Sequence, residues 1–115
     1  MSKVCEIEGA KVLAVEVEGQ DAPGLRSVMD TLRDRLPSGV VILGSASEGK
    51  ASLCVAVSND LTGRIKAGDI VKQLAPIVGG GGGGKSTLAQ AGGKLPEKVP
   101  EAIAKAPAIV KDILT

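Results

Sequence analysis

The stretch VGGGGGGKSTLAQAGG, residues 78–93, decides how the whole chain is read. Gly79, four spacers, Gly84, Lys85 and Ser86 satisfy the phosphate-loop pattern of nucleotide hydrolases. Such a loop needs a buried strand before it and a long helix after it, because amides at the helix N-terminus cradle the phosphate. Neither neighbour fits. Ahead of the tract, KAGDIVKQLAPIVG carries Ile70, Val71, Leu74, Ile77 and Val78 at helical spacing. Behind it, Gly92, Gly93 and Pro96 arrive too soon for a useful helix. A flexible linker would separate two domains, and too little chain follows for a second one. The tract therefore reads as a glycine-rich binding loop, where missing side chains let main chain approach a ligand and exposed amides can hold an anion. STLAQAGG then reads as a short strand closing the sheet edge.

Working outward, KVCEIEGAKVLAVEVEG alternates twice around Gly9. Val4 and Ile7 give a weak first strand; Val12, Leu13, Val15 and Val17 give a stronger second one. The period then changes. Leu25, Val28, Met29, Leu32 and Leu36 share one helical face, Asp21 is placed to cap the start, Pro23 suits the first turn, and Pro37 with Gly39 end it. Residues 40–43 and 51–58 are apolar strands around a GSASEGK loop, with the second strand, first helix and third strand forming a β-α-β crossover. Pro76 predicts a kink or an end near Leu74 in the second helix. A final helix starts near Pro100 and is disturbed by Pro107. The expected fold is α/β (α+β): a single mixed sheet of about five strands packed with about three helices, with the glycine-rich loop before the last strand.

Composition narrows the chemistry. The 115 residues contain no Phe, Tyr or Trp, so base stacking on aromatic rings, the usual grip on single-stranded nucleic acid, is ruled out. They contain no His, so there is no imidazole base or metal ligand. Cys5 and Cys54 form no CxxC unit and read as inert thiols in a reducing compartment. There is no signal-peptide pattern and no apolar run of membrane-spanning length, which places the chain in the cytoplasm. Net charge is +1, but residues 61–115 carry 8 basic and 4 acidic side chains, and this positive half holds the glycine tract. Asp69 reads as a first-turn acid rather than a catalytic group.

Residues 65–93, IKAGDIVKQLAPIVGGGGGGKSTLAQAGG, closely resemble the hallmark of the C-terminal (C-Ala, DHHA1-type) domain of alanyl-tRNA synthetase. The matching pieces are Ala67-Gly68-Asp69 at a helix start, Gly79 to Gly84 ending in Lys85, and Ala89-Gln90-Ala91-Gly92-Gly93. The order of elements in residues 25–61 is similar too, so the resemblance covers nearly the whole chain. Where bacterial members often continue Arg-Pro-Asp, this chain has Lys85-Ser86-Thr87. In the wider group, DHH-type phosphoesterases commonly end the loop in His, so Lys85 favours the synthetase branch.

The resemblance implies one tRNA-binding domain over residues 1–115, excised or free-standing, without the aminoacylation and editing domains. It implies binding to the outer corner of tRNA, where the D and T loops meet, in support of aminoacylation and editing. Partners are then tRNA, the remaining domains of the synthetase and, in some members, a second copy of the domain; no cofactor, metal or catalytic residue is expected. Gly79, Gly80, Gly81, Gly82, Gly83 and Gly84 would give close approach, Lys85 a phosphate contact and Gln90 an amide hydrogen bond. Arg64, Lys66 and Lys72 would form an electrostatic rim. Two alternatives remain: a protein-interaction or dimerisation domain using the final helix, and the substrate-binding domain of a DHH-type phosphoesterase.

Overall fold

The computed structural model describes residues 4–36 and 38–115; Pro37, expected to help end the first helix, lies outside them. In chain order the elements are β1 (Cys5–Ile7), β2 (Ala10–Glu16), α1 (Ala22–Arg35), β3 (Val40–Ser47), β4 (Lys50–Val57), α2 (Ala67–Leu74), β5 (Gly80–Gly84), β6 (Leu88–Gly93) and α3 (Val99–Leu114). The strands make one mixed sheet in the order β1-β2-β3-β4-β6-β5. β2 and β3 run parallel around α1, as the crossover requires, and the other neighbouring pairs are antiparallel.

The mixed sheet and three helices match the expectation, with one strand more than expected. The added strand is the glycine tract itself, which is no loop: β5 pairs along its length with β6. β6 accordingly is not the sheet edge but lies between β4 and β5. Glycine disfavours strands because it brings no side chain to pack. Here the ladder with β6 supplies what propensity does not.

GSASEGK is likewise not a loop. Strand β3 continues through Ser47, and only Glu48 and Gly49 turn the chain, both at positive φ (52° and 75°). A two-residue hairpin turn of type I′ needs left-handed backbone at both positions, and that turn fixes the pairing of Ser47 with Lys50.

Alternation along β4 builds two cores. Ala51, Leu53, Val55 and Val57 face α2 and α3, together with Val12, Val40, Ile42, Ile70, Val71 and Leu74. Cys54 and Ala56 face α1, together with Leu13, Val41, Leu43, Leu25 and Met29. Burial of each large aliphatic side chain is worth about 1.5–3 kcal/mol, which lets a core without aromatics hold the fold. The Asp21 side chain caps α1, accepting from the Gly24 N–H at 2.9 Å. Buried Ser45 ties down the approach to that helix: its hydroxyl accepts from the Gln20 N–H at 2.8 Å and donates to the Val17 carbonyl.

α2 stops at Leu74 and gives way to a 3-10 turn over Ala75–Val78, so Pro76 changes the helix type as anticipated. Pro107 does not end α3. That helix buries Val99, Ala102, Ala106 and Val110 against its own sheet, with Ile103, Ile109, Ile113 and Leu114 half-buried beside them. Among the described residues no helix is long and apolar enough to cross a membrane.

Candidate functional site

β5 lies at the sheet edge with all five of its glycines exposed. At about 3.4 Å per residue it offers about 17 Å of bare main chain. Its two sets of alternate positions differ. A Cβ at Gly80 or Gly82 would overlap the carbonyl oxygens of Gly92 or Gln90, and one at Gly84 would stand 2.6 Å from the Leu88 oxygen. These three are glycine because β6 leaves no room. Gly81 and Gly83 have nothing within 4 Å of that position and no left-handed φ. Nothing inside the molecule asks for glycine there.

The register assigns Gly81 and Gly83 a neighbourhood. Gly83 pairs with Gln90 and Gly81 with Gly92, and these pair in turn with Cys54 and Ser52 of β4. Cys54 belongs to the core beneath α1, so this row lies on the α1 side of the sheet. Helix α1 packs chiefly on β3 and β4, and leaves the neighbouring part of that face open at Gly92, Gly81 and Gly83. The result is a shelf almost without side chains. Gln90 stands at its inner border, where its Nε2 donates to the Ala22 carbonyl at 3.4 Å.

The connection from β5 to β6 is pinned by main-chain bonds. Lys85 N–H donates to the Leu88 carbonyl at 2.9 Å, the Ser86 carbonyl accepts from Ala67 N–H at 2.8 Å, and the Thr87 carbonyl accepts from Val57 N–H at 2.9 Å. The Lys85 side chain is exposed on this fixed loop. Lys66, also exposed, occupies the N-cap position of α2 directly beside it. None of the ion pairs among the described residues involves either lysine. This end of the shelf is therefore a pinned corner that carries two exposed lysines.

The structure thus brings together Gly79 to Gly84, Lys85 and Gln90, with Lys66 at the corner. Lys72 is exposed but sits in the last turn of α2, in the layer on the opposite face from the shelf. Arg64 is directed elsewhere: its Nη2 donates to the Glu8 carbonyl at 2.6 Å, in the turn joining the two strands at the far edge of the sheet. Sequence reasoning missed Lys50, which together with Lys94, the residue after Gly93, flanks the other end of the shelf because Ala51 pairs with Gly93 and Gly93 with Gly80. Only the strand order brings Lys50 to the tract. The signal within reach was the Gly92-Gly93 pair, two more unshielded positions in the following strand.

The thiols differ in environment. Cys5 is exposed, while Cys54 is buried. Burial pushes the Cys54 thiol up to about 11, against a smaller opposing pull from Arg26. Among the described residues no group of three or more His, Cys, Asp or Glu is placed to hold a metal ion.

The DHHA1 domain model matches residues 9–112. The chain is 47% identical over 111 residues to the alanine–tRNA ligase of Chromohalobacter salexigens, covering 96% of this chain and 13% of that protein. It is 54% identical over 100 residues to that of Desulfosudis oleivorans, covering 87% and 11%. It therefore spans only about an eighth of the length of the curated relatives it matches. Among solved structures it is similar to the C-Ala domain of Aquifex aeolicus alanyl-tRNA synthetase, with a TM-score of 0.84, 29% identity, and coverage of 95% of this chain and 98% of that one. A DHH-domain protein described as a member of the S1p family of ribosomal proteins shares the fold alone, at a TM-score of 0.54 and 17% identity. With a family model spanning nearly all of its residues, this chain belongs to the DHHA1 domain family.

Proposed function

We propose that the chain is a tRNA-binding accessory domain of an alanine–tRNA ligase, acting over residues 1–115 as one unit. It binds the outer corner of tRNA and thereby supports aminoacylation and editing by the rest of the enzyme. The observation that carries this reading is the open space at Gly81 and Gly83, two glycines without an internal reason to be glycine. A partner surface pressed flat against the strand supplies that reason, since even a methyl group would hold it off. A folded RNA presents such surfaces, and recognising its shape needs no aromatic stacking.

Lys85 and Lys66 then reach phosphates beside the contact, Gln90 offers its amide at the inner border, and Gly79, Gly80, Gly82 and Gly84 hold the strand in place. Lys72 adds long-range attraction for the polyanion, and Arg64 serves chiefly to fasten the Glu8 turn.

The test is a gel shift comparing folded tRNA with the same RNA denatured and with a single strand of equal length. Preference for the folded form supports the reading. Equal or tighter binding to single strands sinks it. Because the contacts to phosphate release counterions, binding should weaken steeply with salt.

A further inference from the structure

Beside the Gly80 end of the shelf lies a groove of about 590 Å³, enclosed by the start of α1, the β3–β4 hairpin and the glycines of β5 and β6. Ligand sites for small molecules run from about 300 to 1,000 Å³, so the groove has the capacity of a single nucleotide. We infer that it seats one unpaired nucleotide of the bound RNA, its base on the Gly80–Gly92 main chain and its phosphates toward Lys50 and Lys94; this rests on the RNA-binding reading above.

Three observations carry the inference. Gly79, Gly80, Gly92 and Gly93, with the Pro23 ring, give one part of the lining a low surface on which a planar base lies flat without an aromatic partner. Its polar groups suit a nucleotide. Lys50 and Lys94 are exposed and belong to none of the ion pairs among the described residues. Glu48, held in the hairpin turn at φ 52°, presents an exposed carboxylate, which accepts hydrogen bonds from base amino and imino groups. The other carboxylate of the lining, Asp21, is committed to capping α1.

The groove is also continuous with the shelf. Gly92 lines it and pairs with Gly81, so an RNA lying across the open glycines passes its mouth. Splayed bases are the parts of a folded RNA that a protein reads by their edges. Another cavity of similar size, about 650 Å³, sets Asp30, Asp34 and Asp60 against Arg33 alone, a poor host for phosphate.

The experiment is an amide NMR titration of the ¹⁵N-labelled chain with AMP, GMP, CMP and UMP in turn, and with inorganic phosphate. At least one nucleotide should produce saturable shifts at Gly80, Gly92 and Lys50 that phosphate alone does not. The Lys50→Ala/Lys94→Ala double variant, with its spectrum otherwise retained, should weaken that binding by about fivefold or more. Lack of saturation with all four nucleotides, or identical shifts from phosphate, overturns the inference. Folded-tRNA binding alongside an empty groove removes the groove and keeps the RNA reading; a filled groove without tRNA binding overturns both the RNA reading and the assignment of the groove to bound RNA, leaving a site for a free mononucleotide.

Discussion

The backbone N–H of Ala67 donates to the carbonyl of Ser86 at 2.8 Å, which fastens the first turn of α2 to the loop carrying Lys85. The Lys85 ammonium thus projects from main chain that is already fixed, and little loop ordering remains to oppose binding. Lys85→Ala should leave the melting temperature unchanged and lower the slope of log K against log salt by about one. An unaltered slope would remove Lys85 from the interface.

The two sets of glycines in β5 should separate stability from binding. Gly82→Ala forces a methyl group into the Gln90 carbonyl, and overpacking of that kind costs about 1–3 kcal/mol in thermal or urea unfolding. Gly83→Ala places its methyl in open space and should change stability by less than about 1 kcal/mol while weakening folded-tRNA binding at least tenfold. If Gly83→Ala binds as the parent does, close approach at the shelf is the wrong explanation of the tract.

Arg64→Ala tests the division between scaffold and rim. It deletes the hydrogen bond to the Glu8 carbonyl, so a loss of about 0.5–1.5 kcal/mol in stability is expected. The salt slope of RNA binding should stay within error of the parent. A drop of a full unit would return Arg64 to the interface.

The aliphatic core makes its own prediction. Leu53 is fully buried among the residues under α2 and α3, and Leu53→Ala should cost about 2–5 kcal/mol. Urea denaturation measures where in that range the cost falls, which depends on how far the surrounding aliphatic side chains relax into the gap.

Cys54 should mark the alkaline limit of the fold. Its thiol is raised from 9.0 to about 11, so the folded state holds the proton more tightly than the unfolded chain. The stability this provides is fully present below pH 9 and is lost as pH rises toward 11. Cys54→Ala should flatten that part of the stability profile. In thiol titration at pH 8, Cys5 should react at once and Cys54 only on unfolding.

Much of the scaffold was legible because it is encoded locally. The helical stripe from Leu25 to Leu36, the Asp21 cap and the apolar runs of β3 and β4 each announce themselves within a few residues. The glycine strand did not, because glycine carries no side chain and a run of it shows no period of two. The two-residue β3–β4 turn was read as a longer loop because Glu-Gly is a weaker signal than Asn-Gly or Asp-Gly. The site divided along the same line. Gly79 to Gly84, Lys85 and Gln90 are near neighbours in sequence and were found together. Lys50 lies some thirty residues away and joins them only across β4 and β6.

Taken alone, the order of residues determined an aliphatic α+β domain and excluded a phosphate loop, since helical spacing precedes the glycines and further glycine follows them. Only the folded chain decided that the tract is an edge strand, with three glycines held against β6 and two facing open space. Strand pairing is a long-range interaction, and a glycine's role depends on the atoms that stand where its side chain would be.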